Sequence, residues 1–542
     1  MAVVDRPLHD ASRTRDRVAV AVLLLLAIVV TGCGLLQARD DSPTFDEPVY
    51  VSAGLLALTQ HDLAYNAEHP PLAKAIAAIP VLVTPYQLPP RTPGENDEKA
   101  YAGVFLRAQG DALGAVTFAS RLVPLLEMLL VAALLVLLGR QLVSLAGGVL
   151  AAALWLVSPM VLGLGHLDGV DLPFAVAVCV YAGALLHARH HDDRRSTVLL
   201  GVALGLCLAT SALGLVLVLL TGLLLALQRR GRGLLQWLVA AAVAWAVLWC
   251  SYLVLDPHVV TSTQWLLPGP YVDGLRYLRD NDTVPGAGYL LGQAWVGGRW
   301  WFWPGSLLVK LTTPVLLVLV LAPLCWRLVD APRRRDALVV VAAPAVVLLA
   351  AVMTSPRDLG VRYLLPVVAL WCAGAAPAVL LARLRWAQVV GSVAAVAAVV
   401  MLATSLPHSL AYTSPPFVPA YRVATDSNVD WGQDLTLLQR WAVGKQPYVD
   451  WFGPRGTSWA DVPGARDLAT APLSDVTGWV AVSATKLTSD DRDALAWLRE
   501  YCPVETLGGS VLVYRFDAPP TPDPGPTAPS PLCSGGTSTV AG

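Results

Sequence analysis

The chain has 542 residues, of which 55% are hydrophobic and 14% charged, and its net charge is −1. A soluble domain carries about 25% charged residues, so this composition excludes a water-soluble globule and, over most of the length, intrinsic disorder. Eight cysteines are too sparse for a disulfide scaffold, and no basic excess points to a nucleic-acid partner.

In chain order, residues 1–17 read as a cytoplasmic tail with Arg6, Arg13, Arg15 and Arg17. Charge-poor apolar runs follow at 18–36, 116–138, 141–162, 170–188, 197–228, 234–255, 306–326, 337–354, 363–382 and 388–406. Val30-Thr31-Gly32-Cys33 loosely resembles a lipoprotein cleavage box, but an uncleaved first span keeps the first loop anchored. The 197–228 run would be about 48 Å long as one helix, too long for a core about 30 Å thick. Arginines flank both its ends and Thr210-Ser211 interrupts it, so it predicts a two-helix hairpin. This gives about eleven spans in residues 18–406, with larger outer loops at 37–115 and 256–305. Arg140, Arg189, Arg194, Arg195, Arg229, Arg230, Arg232, Arg327, Arg333–335, Arg383 and Arg385 then share one side. The positive-inside rule puts the N-terminus in the cytoplasm and the C-terminus outside a cell membrane.

Residues 407–517 read as a small α/β domain. Strand-like runs occur at 448–452, 478–484 and 510–516, with helices after Gly432 and over 489–501. Residues 518–542 hold seven prolines and read as a disordered tail. Cys502 and Cys533 are the only cysteines in this region, and they either pair or stay apart. Asp426-Ser427-Asn428-Val429-Asp430-Trp431 imitates a calcium loop, but Trp431 replaces the sixth-position glycine and Leu437 the twelfth-position glutamate. A turn leading into a helix is the plainer account.

Several polar groups fall at the outer ends of spans. Thr44 and Glu47 have capping-box spacing, which leaves Asp46 unexplained. A carboxylate there is either a solvated loop charge or a base toward a hydroxyl. Glu68-His69-Pro70-Pro71 opens an amphipathic stretch carrying Lys74, with Leu72, Ile76 and Ile79 on one stripe suited to a membrane surface. His166, Asp168 and Asp171 sit at a span boundary, and Glu127 lies within a span. Arg121 is six residues from Glu127, a poor helical pairing distance, so no partner is assigned. Trp295, Trp300, Trp301 and Trp303 surround Arg299, with Lys310 following and Arg362 farther on. They form either an interfacial belt or a sugar- or lipid-binding platform with phosphate-holding cations.

Taken in order, PTFDEPVYVSAG, EHPPLAKAIAAIP, DLPFA, GYLLGQAWVGGRWWFWPGSLLVK, GVRYLLP, DSNVDWGQDL and AWLREYCPVETLGGSVLVYRF span residues 43–516. This ordered set resembles the membrane-embedded GT-C glycosyltransferases of the protein O-mannosyltransferase and aminoarabinose transferase type, in the phospholipid carrier-dependent (family 39) branch. The resemblance implies a polyprenyl-phosphate-linked sugar donor and inverting transfer to an acceptor hydroxyl on a protein, lipid or glycan. It makes Asp46 the base and Glu47 its neighbouring acid. It makes His69, Lys74, Asp171, Arg299, Lys310 and Arg362 candidates for substrate contacts. A divalent metal is left open. Thr210-Ser211 departs from the Thr-Lys pair that relatives often carry. A polyprenyl-lipid flippase and a non-catalytic scaffold are the competing readings.

Overall fold

A computed structural model describes residues 6–92, 97–229, 231–260, 266–281, 283–520 and 536–537. The chain is a mainly α-helical, multi-pass membrane protein with a small C-terminal α/β domain. Among the described residues, seven helices are long and apolar enough to cross a membrane: Thr14–Asp40, Gly110–Leu142, Asp171–His190, Arg232–Leu255, Ala331–Met353, Val361–Arg383 and Arg385–Ser405. The pair Leu145–Leu156 and Pro159–Gly165, bent by 67°, makes an eighth if it is one span. Pro159 explains the bend, because a proline steers its predecessor away from helical torsions.

The remaining expected spans are broken into shorter pieces. The long run divides at Thr210-Ser211 into Arg194–Thr210 and Gly214–Arg229, as its excess length requires. The 306–326 run divides into Phe302–Lys310 and Thr313–Leu321, which was not expected. Pro314 in the first turn of the second piece fits that restart. Small residues let helices approach closely. On the Arg194–Thr210 helix, a Cβ at Gly201 would lie 2.7 Å from the Ala240 carbonyl oxygen, so that helix and Gly231–Leu255 touch along their backbones.

In the C-terminal domain the sheet order is Arg466–Asp467, Tyr448–Asp450, Gly478–Ser483, Val511–Phe516, Glu505–Leu507. The first three strands are parallel and the last two pairings antiparallel. Alternation divides the side chains between two faces. Ala481, Val511 and Val513 meet Leu435 and Leu438 of the Leu435–Ala442 helix, while Val480, Val482 and Leu512 meet Leu495 and Leu498. The expected helix over 489–501 is instead a pair of 3₁₀ turns within Asp490–Glu500, kinked at Leu495. The proline-rich tail beyond Pro520, with Cys533, lies outside the described residues apart from 536–537.

Two cationic clusters hold the parts together. Arg121, fully buried, uses all five of its N–H donors. Its Nε and one Nη2 hydrogen go to Glu47 Oε1 and Oε2 at 2.8 and 2.6 Å. The others go to the carbonyls of Ala38, Asp41 and Ser42 at 2.9, 2.8 and 2.8 Å. Glu47 also accepts the backbone N–H groups of Thr44 (2.7 Å) and Asp168 (2.9 Å). Arg121 is therefore partnered by a residue 74 positions earlier, not by Glu127. Only the glutamate half of the expected capping box forms, since the buried Thr44 hydroxyl has no hydrogen-bond partner and Asp46 occupies the N-cap of the Glu47–Gln60 helix. Lys310 is the second cluster. Its Nζ donates to the carbonyls of Leu410 (2.7 Å), Tyr412 (2.5 Å) and Asn428 (2.6 Å), fastening the C-terminal region to the bundle.

Breaking a buried ion pair by removing one partner costs about 3–5 kcal/mol, because the other charge is stranded. Arg121→Met is expected to lower thermal stability in detergent severely. The double variant Arg121→Met with Glu47→Gln should recover part of that loss. Thermal unfolding of the three purified proteins checks both outcomes.

Candidate active site

A cavity of about 400 Å³ lies where the loop face of the bundle meets the C-terminal domain. Its walls come from residues near 45–50, 66–69, 98–99, 277–289, 357–363 and 425–431, with Phe452 and Thr485–Ser489 from the domain. Phe45 stacks on Phe452 with centroids 5.1 Å apart and planes 4° off parallel, and Lys99 Nζ lies 4.7 Å from the Phe45 ring.

Asp46, one residue before the clamped Glu47, faces this cavity. Arg362 Nη1 donates to its Oδ2 at 2.8 Å, and the Tyr50 hydroxyl lies 3.4 Å from the same oxygen. Burial, reinforced by the Asp46 charge, raises the Tyr50 pKa well above the usual phenol value, so Tyr50 stays protonated. Arg362 sits in the Val361–Leu364 turn that opens a span. Its guanidinium lies 4.5 Å from the Trp431 ring centroid and 5.1 Å from that of Tyr363. Its Nε is buried without a hydrogen-bond partner and lies 3.8 Å from Asp171 Oδ2. Asp46, Asp171 and Arg362, read separately from sequence, thus converge.

His69 is also on the wall, packed edge-on against Tyr50. Burial first, and then Lys74, pushes its pKa down to about 4, so it is neutral at pH 7. Burial raises the pKa of Glu68 and Glu98, with Asp46 adding to the effect at Glu68. Asp426 is pushed up to about 6 by burial. Arg357, which no motif singled out, lines the cavity and donates to Asn281 Oδ1 at 2.9 Å.

Three candidate cations take other places. Lys74 Nζ is spent on the Asn66 carbonyl (2.6 Å), Asn66 Oδ1 (2.9 Å) and the His69 carbonyl (2.8 Å). Lys310 is spent on its three carbonyls. An ammonium has three donors, so neither keeps one for a phosphate. Burial pushes the Lys74 pKa down to about 7. Arg299 is exposed beside the cavity rather than in its lining, and its backbone N–H donates to Asp358 Oδ2 at 3.0 Å. The tryptophans do not form an open platform. Trp295 donates to Asp358 Oδ2 at 2.8 Å and packs 4.8 Å from Trp301, and Trp303 is buried. Trp300 alone among the four is exposed. At the 163–171 boundary, His166 pairs with Asp41 at 2.8 Å, while burial raises the Asp168 pKa well above the carboxylate range.

Among the described residues, no group of three or more His, Cys, Asp or Glu side chains is arranged to hold a metal ion.

The segment that imitates a calcium loop folds into the joint instead. Asp430 Oδ2 accepts the Thr485 N–H at 2.8 Å. Asp434 Oδ2 accepts from the Ser510 hydroxyl at 2.5 Å and from Gln433 at 3.1 Å. Burial pushes Asp430 up to about 7 and Asp434 up to about 8.

No protein-family model matches the chain, and no curated protein does. Among solved structures, it is similar to ArnT from Cupriavidus metallidurans bound to undecaprenyl phosphate, at 17% identity over 74% of this chain and 67% of that one, with a TM-score of 0.48. It is similar to the Archaeoglobus fulgidus oligosaccharyltransferase complex with Zn and sulfate, at 13% identity over 90% and 72% of the two chains, with a TM-score of 0.47. The S. cerevisiae protein O-mannosyltransferase Pmt1-Pmt2 complex bound to the sugar donor aligns with 44% of this chain and 33% of that one, at 17% identity and a TM-score of 0.31.

An acid whose folded pKa is raised binds more protons folded than unfolded, so it opposes stability increasingly as pH rises toward the folded value. For Asp434 that window runs from its unfolded value near 4 to about 8. Asp434→Asn is expected to reduce the fall in thermal midpoint between pH 6 and pH 8 relative to the parent protein. Melting curves in detergent at the two pH values check this.

Proposed function

We propose that the protein is a glycosyltransferase that moves a sugar from a polyprenyl-phosphate donor to an acceptor hydroxyl on a protein, lipid or glycan. The observation that carries this reading is the pairing of Asp46 with Arg362, a carboxylate and a guanidinium 2.8 Å apart on the wall of one cavity. A prenyl chain partitions into the bilayer, so its phosphate rests at the interface where this pair lies. The ordered motifs of the sequence support the same chemistry. The arginine-rich ends of the helices support a cytoplasmic side opposite the cavity, and hence an outward-facing site at the cell membrane.

In this reading Asp46 takes the proton of the acceptor hydroxyl. The acceptor oxygen attacks the anomeric carbon from the face opposite the phosphate, the new glycosidic bond forms, and the carbon–oxygen bond to phosphate breaks. The electron pair leaves with the lipid phosphate, whose added charge Arg362 stabilises. Arg362 pairs with Asp46, and a donor phosphate competes for that guanidinium, leaving the carboxylate free to act as base. Arg357 and Lys99 supply further positive charge around the cavity. Asp171 steadies Arg362 from behind, and neutral His69 offers a ring nitrogen to a substrate hydroxyl. Glu47, with both oxygens occupied, holds the loop rather than exchanging protons. Burial would raise its pKa, but the Arg121 charge and the hydrogen bonds outweigh this and keep it low.

Loss of a positioned base typically slows a reaction about 10²- to 10⁴-fold. Asp46→Asn is expected to remove product while reaching parental levels in the membrane. Mass spectrometry of glycolipids, glycoproteins and surface glycans from cells with the parent protein, the variant or neither provides the check. Product formed by Asp46→Asn at near-parental levels overturns the assignment of the base.

A further inference from the structure

The DSNVDWGQD segment, Asp426–Asp434, has no part in the chemistry just described, yet it touches both halves of the Asp46–Arg362 pair. The Trp431 carbonyl accepts the N–H of Phe45 at 2.9 Å, and Phe45 is the residue before Asp46. Asn428 Oδ1 accepts the N–H of Val361 at 2.8 Å, and Val361 is the residue before Arg362. The segment therefore grips the chain one residue ahead of each partner. Asn428 is itself held by Lys310 through its carbonyl at 2.6 Å. Between these grips the Trp431 ring, buried at 4% exposure, lies 4.5 Å from the Arg362 guanidinium. Tyr363 lies 5.1 Å from the same group.

A guanidinium stacked on an aromatic face is held in its plane while its N–H edges stay open. One Arg362 edge reaches Asp46, and Nε carries no hydrogen bond. We propose that Trp431 is a positioning residue that acts through Arg362, setting the plane in which the guanidinium meets Asp46 and the donor phosphate. The inference rests on the reading of Arg362 as the phosphate-holding cation. It makes the C-terminal region part of the transfer site rather than a domain displayed beside it. Gly360 fits the same picture. Its φ is +116°, and a Cβ there would come 2.1 Å from Ser427 Oγ, so the segment and the turn bearing Arg362 are in direct contact.

The test is the binding of undecaprenyl phosphate to the full-length protein in detergent, for Trp431→Leu, Trp431→Phe, Arg362→Gln and the two Trp431 changes combined with Arg362→Gln. A desolvated cation–π contact corresponds to about 5- to 30-fold in affinity. Trp431→Leu is expected to weaken binding by about that factor, and Trp431→Phe by about threefold or less. In the Arg362→Gln background neither Trp431 change should weaken binding further, because a residue that acts through another loses its effect when that other is gone. Equal losses in both backgrounds overturn the positioning role, as does unchanged binding by Trp431→Leu. If the leucine variant does not fold, the comparison is made with Trp431→Phe, whose equal loss in both backgrounds overturns it in the same way. If Arg362→Gln binds as tightly as the parent protein, the donor-phosphate reading itself fails. If Arg362→Gln binds weakly while Trp431→Leu binds normally, only the positioning role fails.

Discussion

The geometry of the site depends on one buried guanidinium. Arg121 lies in a helix of the bundle, yet it gathers the last turn of the first span, the following loop and Glu47 into one fully bonded cluster. Moving that charge from water is costly unless every donor is met, and here each one is. The loop that carries Asp46 consequently has little freedom. A clamp on residue 47 fixes residue 46, and the clamp residue is itself unavailable for chemistry because its oxygens are taken.

The same logic separates the cations of the site. Lys74, Lys310 and Arg362 all lie in short helical segments, and the family resemblance makes each a candidate substrate contact. The difference between them is what the fold brings within reach. Lys74 meets two carbonyls and an amide oxygen of the turn that precedes its helix, and Lys310 meets three carbonyls from chain about 100 residues away. Arg362 meets a carboxylate, two aromatic faces and an open volume. Saturated ammonium groups serve as fasteners, whereas a guanidinium with an unfilled edge keeps a donor for the role proposed for Arg362.

What was legible in the sequence follows from this. The helices, the break at Thr210-Ser211, the inner sheet strands and the place of Asp46 at a span end all depend on local composition and length. The kink at Leu495 and the break after Lys310 depend on packing and were not legible. The partners of Arg121, Lys310 and Trp431 come from distant segments, and no spacing rule reaches across them. The buried tryptophans near 300 illustrate the limit. Aromatic residues beside a cation look alike as a belt, a platform or a core, until a hairpin and Asp358 fold three of the four inward.

The joint between bundle and C-terminal domain has a consequence for how such a protein diversifies. Main-chain and side-chain hydrogen bonds tie Ser42 and Phe45 to the 431–436 stretch, and Phe452 stacks on Phe45. The Asp97–Arg455 contact at 2.8 Å adds a separate tie. The domain is therefore not a cassette. A replacement domain would leave Ser42 and Phe45 without their hydrogen-bond partners unless its own 431–436 stretch matched them, so the loop bearing the carboxylate and that stretch work as a fitted pair.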